Sequence, residues 1–252
     1  KQSADIVLLD DSFHTLVGAV QQGRIVYQNI KKGALSCFTS NSAELVVNLT
    51  SLAVTSLMGI PLALTVMQIL AIDLIAELFP IAALGWDKAD RELMSEQPRN
   101  PKLHILNKSN LMDLFMCGLL IGGLAFTNYI WFYGRHGVDA SSVISGSKIH
   151  MQATALTYLT IVLCQLGNII QRRSQHGIFT KYQLHNKQFW FAIGVSLFCV
   201  INIIYNPLIS PYFGSASLTY VDWMFAVGAA TVFICIRELE RLHNIKHSNA
   251  VI

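Results

Sequence analysis

The sequence has little charge for its length. Asp, Glu, Lys and Arg make up 13% of the 252 residues, and hydrophobic residues make up 53%. Ordinary soluble domains carry about twice that charge. The mean hydropathy is +0.46, so the composition excludes a conventional water-soluble domain. The net charge of +3 comes from short basic clusters between apolar runs, and without a continuous basic face no nucleic-acid partner is expected.

The sequence also lacks the patterns of a zinc or redox protein. Its five cysteines each lie inside an apolar run without metal-ligand spacing, which is typical of small buried hydrophobic residues. The eight histidines are expected in loops, the C-terminal tail or the polar N-terminal part. The sequence opens on Lys1-Gln2-Ser3 without a signal-peptide pattern, so we expect a piece of a larger protein. We find no internal repeat, so the inverted-repeat plan of transporters finds no support.

Long apolar runs make up most of the sequence. A membrane-spanning helix needs about 20 mostly apolar residues. Six segments qualify: 34–59, 62–85, 110–133, 152–171, 189–209 and 219–236. The sequence therefore predicts an all-α membrane protein, with a six-helix transmembrane bundle over residues 33–252.

Residues 1–32 have a different character. The run 4–11 predicts a buried strand at the end of an α/β domain. The segment from Phe13 to Lys32 is amphipathic with helical periodicity, and no proline separates it from the first apolar run. We therefore expect a stalk helix that continues directly into the membrane.

Basic residues predict the orientation of the bundle. Of the 18 Lys and Arg residues, 16 lie on the side that holds both termini, and only Arg135 and Lys148 lie on the other. By the positive-inside rule, both termini are expected in the cytoplasm. Six aromatic residues near the ends of the predicted spans are expected at the lipid headgroup level: Tyr129, Trp131, Tyr133, Trp190, Tyr220 and Trp223.

Three carboxylates inside the spans are the most informative residues. Glu44 lies midway along the first span, one turn after Asn41. Asp73 and Glu77 are spaced i and i+4 in the second span, which places both on one helix face. Each ionised carboxylate costs a few kcal/mol at that depth, and no Lys or Arg lies inside a predicted span to pair with it. A proton or a bound cation is therefore expected there.

Further oxygen donors lie close to these acids in the sequence. Pro80 cannot donate a backbone hydrogen bond, so it leaves the carbonyl of Ala76 available. Gln165 and Asn168 lie one turn apart in the fourth span. Their amide oxygens either solvate a cation or hydrogen-bond one helix to another, and both alternatives stay open. Oxygen ligands suit Na⁺, K⁺, Ca²⁺ or H⁺ better than zinc or copper.

Several motifs show a resemblance to a known family. The sequence resembles the type II P-type ATPases, the group that contains the Na⁺/K⁺, H⁺/K⁺ and Ca²⁺ pumps. The resemblance covers essentially the whole chain. It is carried by KQSADIVLLDDSFHTLVGAVQQGRIVYQNIKK at the phosphorylation domain and stalk, TSNSAEL at the fifth membrane helix, AIDLIAELFPIAALGWDKAD at the sixth, and EQPRNPK in the following loop.

The resemblance implies a function and a set of site residues. It implies an alternating-access ATPase driven by an aspartyl phosphate, with Mg²⁺ and ATP bound outside this chain. The chain would supply the last six of ten spans, and none of its own residues would be catalytic. The residues that match the family's cation ligands are Asn41, Glu44, Asp73, Glu77, Gln165 and Asn168.

The resemblance also bears on the transported ion and on partners. Ser40 stands where gastric proton pumps have Lys, and Asp73 stands where the Ca²⁺ branch has Asn, so a Na⁺/K⁺-like monovalent cation is preferred. A Ca²⁺-transporting ATPase is the alternative, because Ala43, Ala76 and Glu77 depart from the Na⁺/K⁺ pattern. From other classes, a secondary cation transporter or channel and a non-catalytic membrane scaffold stay open.

Three smaller expectations complete the interpretation. The loop 134–150 lacks the Ser-Tyr-Gly-Gln-like run that holds an accessory subunit, so no such partner is expected. The Gly122-Gly123 pair predicts close packing against another helix. The remaining partners are the lipid bilayer and the N-terminal domains of the same pump, and the expected location is the cell (plasma) membrane.

Overall fold

The chain folds into helices joined by short connections. A computed structural model describes residues 12–89, 93–95, 97, 104–174, 177, 178 and 180–249. Its α-helices are α1 (Phe13–Met58), α2 (Val66–Ala71), α3 (Leu78–Ala83), α4 (Lys108–Arg135), α5 (Lys148–Arg173), α6 (Lys187–Tyr205) and α7 (Tyr220–Asn249). A π-helix at Ile72–Glu77 joins α2 to α3, and 3₁₀ turns occupy Leu84–Trp86, Ala140–Ser142 and Lys181–Leu184.

The predicted all-α fold is confirmed. These described ranges contain no strand. The strand predicted at 4–11 lies outside them.

Five helical segments are long and apolar enough to cross a membrane. They are Val66–Trp86, Lys108–Arg135, Lys148–Arg173, Lys187–Tyr205 and Tyr220–His243, and they correspond to the second to sixth predicted spans. The first predicted span, 34–59, lies within α1 except for its last residue, the C-cap Gly59, and is not among the five. Its polar residues, including Asn41 and Glu44, lower its hydropathy, so this span stays a prediction.

Helix α1 runs without a break from the stalk segment into the first predicted span. It contains 46 residues, which corresponds to a length of about 70 Å at 1.5 Å per residue. The helix ends at Gly59, whose φ of 71° lies in the left-handed region that favours glycine. The predicted helical continuity into the first apolar run is thus observed, while the assignment of that run to the membrane stays a prediction.

Side-chain caps define where the other long helices begin. Asn107, Ser147 and Asn186 accept hydrogen bonds from the backbone N–H three residues later, at the starts of α4, α5 and α6. At its other end, α5 extends to Arg173, two residues beyond the predicted span, since cations stabilise a helix C-terminus. Arg172 and Arg173 therefore lie in α5 beyond the predicted span 152–171, which itself contains no Lys or Arg.

Helix α5 forms the centre of the bundle and is almost entirely buried. It packs against α1, α4 and α7, while α6 packs against α3 and the π-helix. The π-helix also contacts α1 and α5. The two elements that carry the acidic residues therefore meet beside the buried central helix.

Two glycines let α4 approach α1 closely. A Cβ atom at Gly122 would lie 2.7 Å from Val46 Cγ1 and 2.9 Å from the Ala43 carbonyl oxygen, and one at Gly118 would lie 2.6 Å from Ser42 Cβ. Gly123 has no atom within 4 Å of the corresponding position. The close packing predicted for the Gly122-Gly123 pair therefore holds for Gly122 alone, and Gly118 is its partner.

Replacing Gly122 with Ala is expected to destabilise the chain by about 1–3 kcal/mol, because α4 must move away from α1. The measurement is resistance to unfolding in a mild detergent. Gly123→Ala is the matched control and should change stability by less than about 0.5 kcal/mol. Equal effects of the two substitutions would contradict the packing described here.

Two of the aromatic residues assigned to the headgroup level lie in the core. Tyr129 and Tyr133 are buried and pack edge to face, with ring centroids 5.2 Å apart. Tyr129 donates a hydrogen bond to the Pro61 carbonyl at 2.6 Å, so its hydroxyl has a partner without reaching the lipid surface. Trp131 and Tyr220 are exposed, and their position at the headgroup level stays a prediction.

One histidine and one arginine also lie in environments that the sequence did not predict. His150 is buried in the first turn of α5, which corrects the expectation that every histidine lies outside the spans. Its Nδ1 accepts from the Gly146 N–H at 3.1 Å, and its Nε2 contacts the Leu62 carbonyl at 2.9 Å. At the same end of the bundle, Arg135 pairs with buried Asp222, which joins α4 to α7.

Candidate functional site

Three carboxylates from α1 and the π-helix lie in one region of the bundle. Glu44 and Glu77 are 5% and 2% exposed, and Asp73 is partly buried. Glu44 interacts electrostatically with Asp73, and Glu77 interacts with both. The structure thus brings together the three acids that the sequence singled out.

Polar atoms without partners concentrate around these carboxylates. One buried oxygen of each of Glu44, Asp73 and Glu77 has no hydrogen-bond partner. The Ser40 hydroxyl, near Glu77, is also among the buried polar atoms without a partner. So are both amide atoms of Gln165 on α5. An unmade hydrogen bond of a buried group costs about 1–3 kcal/mol, and more for a charged group. The unpartnered oxygens of the three acids and of Ser40 beside Glu77 therefore indicate a ligand site.

The backbone of the second span is unwound where the acids lie. Residues Ile72–Glu77 form a π-helix, and π-helical turns are frequent at functional sites. Pro80 follows in α3 and has no N–H to offer the carbonyls of the preceding turn. The helix start is fixed by a capping box in which Thr65 and Gln68 bond reciprocally. This local fold places Asp73 and Glu77 beside α1.

Asn41 is not brought into this group. It is exposed on α1, whereas Glu44, one turn later, is buried. In the part of the chain that the structure describes, no three His, Cys, Asp or Glu side chains are arranged to hold one metal ion. The acids therefore form a cluster of nearby charges, and further oxygen atoms are needed to complete a coordination shell.

Asn168 faces a cationic side chain. Its Oδ1 accepts from Arg172 Nε at 3.1 Å, and its Nδ2 has no hydrogen-bond partner. Arg172 also donates to Thr39 at 3.0 Å and to Asp113 at 2.8 Å. Because its oxygen already contacts a guanidinium, Asn168 is a poor ligand for a second cation and presents a donor instead. Gln165 has both atoms available.

A buried ion pair that the sequence did not predict lies at the end of the second span. Arg173 and Asp87 form two hydrogen bonds, at 3.0 and 2.9 Å, and both side chains are 1% exposed. Arg173 Nη1 also donates to the carbonyl and side chain of Gln183, both at 3.1 Å. The guanidinium lies 4.0 Å from the Phe189 ring centroid, so it is fully enclosed.

Neighbouring residues tie this ion pair to the other helices. Asn186 donates to Asp87 Oδ1 at 2.7 Å and to the Ala83 carbonyl at 3.0 Å. From α1, Asn29 donates to the Asp87 carbonyl at 2.9 Å and Lys32 donates to the Arg173 carbonyl at 2.6 Å. The Asp87–Arg173 pair therefore joins α1, the second span, α5 and the start of α6. Its partners are distant in sequence, so no local pattern could have revealed it.

The fold and the acidic cluster together define a membrane protein with a polar site inside its helical bundle. Comparison with known proteins agrees. Residues 61–243 match the family described as "Cation transporting ATPase, C-terminus", and the chain belongs to this family. The resemblance to P-type cation-transporting ATPases is thereby confirmed.

Individual relatives carry the names of several cation pumps. The chain is 28% identical over 232 residues to the "Calcium-transporting ATPase" of Bacillus subtilis (strain 168), which covers 92% of this chain and 24% of that protein. It is 29% identical over 257 residues to the Mus musculus "Calcium-transporting ATPase type 2C member 1". This alignment covers 99% of this chain and 26% of that protein. The Homo sapiens "Sodium/potassium-transporting ATPase subunit alpha-4" is 24% identical over 270 residues. This alignment covers 96% of this chain and 26% of that protein. The chain spans about a quarter of the length of these relatives.

Proposed function

We propose that this chain supplies the intramembrane cation site of a P-type ATPase that transports a hard cation across a membrane. The observation that carries the proposal is the group of buried carboxylate oxygens without partners at Glu44, Asp73 and Glu77. A cation bound among them would remove the cost of burying these charges. ATP, Mg²⁺ and the phosphorylated aspartate would belong to the rest of the complete ATPase.

The ligands fit a hard cation. Carboxylate, hydroxyl and amide oxygens are available at Glu44, Asp73, Glu77, Ser40 and Gln165, and such donors suit Ca²⁺ or alkali cations. The names of the Bacillus subtilis and Mus musculus relatives favour Ca²⁺. The third carboxylate, Asp73, favours the Na⁺/K⁺-like alternative, which the name of the Homo sapiens relative also supports. Asn41 and Asn168 stay in the proposed ligand set as the weaker members.

In the transport cycle, α1 would transmit movement of the stalk to the cation site. Its stalk, from about Gln22 to Lys32, lies in the same continuous helix as Glu44, so a displacement of the stalk would move the carboxylate directly. Movement of α1 against the π-helix would change how many oxygens reach the cation and would expose the site to each side in turn. Both termini of the chain would lie on the cytoplasmic side.

The cation is identified by measuring which ion supports phosphorylation of the complete ATPase by ATP. We expect Ca²⁺ to increase the phosphoenzyme level at least tenfold over an ion-free control. If the alternative holds, Na⁺ or K⁺ should do so instead. Zinc and copper should not replace them. Phosphorylation that is independent of all these ions would contradict the proposal, and a complete absence of phosphorylation would favour a non-catalytic scaffold. Cation flux without ATP would favour a secondary transporter or channel.

A further inference from the structure

A histidine helps to cap the central helix at the end of the bundle opposite the stalk. Ser147 is the N-cap of α5, and its hydroxyl accepts from the His150 backbone N–H at 3.4 Å. In return, His150 Nδ1 accepts from the N–H of Gly146, the residue before the cap, at 3.1 Å. A capping box has a similar exchange, with Glu or Gln three residues after the cap. Here a histidine takes that position.

The other ring nitrogen of His150 reaches the start of the second span. Its Nε2 lies 2.9 Å from the Leu62 carbonyl oxygen, in the buried connection between α1 and α2. Other side chains hold the same connection, since the Ala63 N–H donates to the Ser51 hydroxyl at 2.8 Å. His150 therefore ties the start of α5 to the entry of the span that carries two of the three carboxylates.

The two partners fix the protonation state of the ring. A carbonyl can only accept, so Nε2 carries a hydrogen, and a backbone N–H can only donate, so Nδ1 carries none. The ring is thus neutral when both hydrogen bonds are made. A further proton would go to Nδ1, which would then face the Gly146 N–H as donor against donor. Protonation must break that hydrogen bond, whereas the bond to Leu62 can remain.

The surroundings of the ring also disfavour a positive charge. A cation in the first turn of a helix is opposed by the helix dipole, and exposed Lys148 already places one there. In the described part of the chain, no acidic side chain forms an ion pair with His150, and residues 59–65 carry no charge. On the other elements at this end, the groups that are charged or change charge below about pH 8 are Arg135, His136, Asp139 and Asp222. Asp222 pairs with Arg135, and Asp139 accepts from Ser141.

We propose that His150 makes the start of α5 a pH-sensitive switch. The neutral ring holds the first turn closed, and protonation releases Gly146 and opens that turn. Histidine is the side chain that ordinarily changes charge between about pH 5 and 8. Gly146 lies in an exposed connection, so it is free to move away. Because α5 is the central helix, acid on this side of the bundle would loosen the packing around the entry of the second span.

The test is hydrogen exchange of the complete ATPase at about pH 7.5 and about pH 5.5, on either side of the ordinary titration of histidine. Labelling times are scaled to the intrinsic exchange rate, and mass spectrometry resolves single amides. We expect the protection of the Gly146 amide to fall at least fivefold at the lower pH. The Ala63 amide is the internal control, because its partner Ser51 does not titrate, and its protection should change less than twofold.

Two variants assign the response to one ring. His150→Gln stays neutral, and its amide can accept from Gly146 while it donates to Leu62, so its Gly146 protection should be the same at both pH values. His136→Gln is the matched control, since His136 is exposed at the C-cap of α4, and this variant should respond as the parent does.

Each other result would overturn the proposal. Constant Gly146 protection in the parent, or an equal fall at Gly146 and Ala63, would show that acid does not act on the start of α5. A fall that persists in His150→Gln would assign the response to another group. If His150→Gln does not fold, the comparison of Gly146 with Ala63 in the parent still decides. The assay needs neither cation nor ATP, so its outcome is separate from that of the proposed function.

Discussion

Replacing Glu77 with Gln is expected to lower the apparent cation affinity of the complete ATPase at least tenfold. The side chain keeps its size and loses its charge at a position that is 2% exposed. A unit charge 4 Å from a cation is worth about 4 kcal/mol at an effective dielectric constant of 20, and part of this is offset by the cost of desolvating the carboxylate. The measurement is the cation concentration that gives half-maximal phosphorylation.

A second readout separates a ligand from a structural residue. Without cation, Glu77→Gln should raise the unfolding temperature, because an unpartnered buried carboxylate is replaced by a neutral amide. The stabilisation that saturating cation gives the parent protein should largely disappear in the variant. Loss of stability without cation, together with unchanged ion affinity, would assign Glu77 a structural role.

Asp139→Asn is the control for the loss of one negative charge. Asp139 lies in the exposed connection between α4 and α5, where hydrogen bonds from the Ser141 hydroxyl and N–H lower the pKa of its carboxyl. The residue is therefore ionised at neutral pH, and Asn can keep the turn. Half-maximal phosphorylation should occur at the same cation concentration as in the parent. A shift equal to that of Glu77→Gln would point to a general charge effect.

Replacing Arg173 with Met is expected to destabilise the protein by about 3–5 kcal/mol, because it leaves the Asp87 carboxylate buried without its cation. Both side chains are 1% exposed, so water cannot take the place of the guanidinium. The measurement is resistance to chemical unfolding in detergent. Lys187→Met, on an exposed position of the neighbouring helix, should change stability by less than about 0.5 kcal/mol.

A double substitution tests whether this loss comes from the unpaired charge. Asp87→Leu combined with Arg173→Met removes both charges, and such replacements of a buried pair are often close to neutral. We therefore expect the double variant to be more stable than Arg173→Met alone. Additive losses from the two single changes would show that packing around Phe189 and Gln183, and not the ion pair, holds this junction together.

The long membrane segments and the acidic cluster could be predicted from sequence because each depends on local information. An apolar run of sufficient length predicts a spanning helix wherever it occurs, and five of the six predicted spans agree in composition and position. Glu44, Asp73 and Glu77 were identified because a carboxylate inside such a run is costly without a partner. Neither inference needs knowledge of which helices are neighbours.

The parts that could not be predicted depend on contacts between distant residues. The exposed position of Asn41 follows from how α1 is rotated about its axis. Helical periodicity gives the faces of a helix but not the neighbour of each face. The burial of Tyr129 likewise depends on the Pro61 carbonyl, which lies 68 residues away in the chain. The Asp87–Arg173 pair joins residues 86 apart.

Because α1 is unbroken, the number of residues between the stalk and Glu44 sets two things. It sets how far the carboxylate lies from the stalk and in which direction it points. Each residue added to an α-helix turns everything beyond it by about 100°. A single insertion between Lys32 and Glu44 would thus point the carboxylate away from the π-helix, whereas an insertion of seven residues would nearly restore its direction at a new height. Natural variation in this stretch should therefore favour substitutions over changes in chain length.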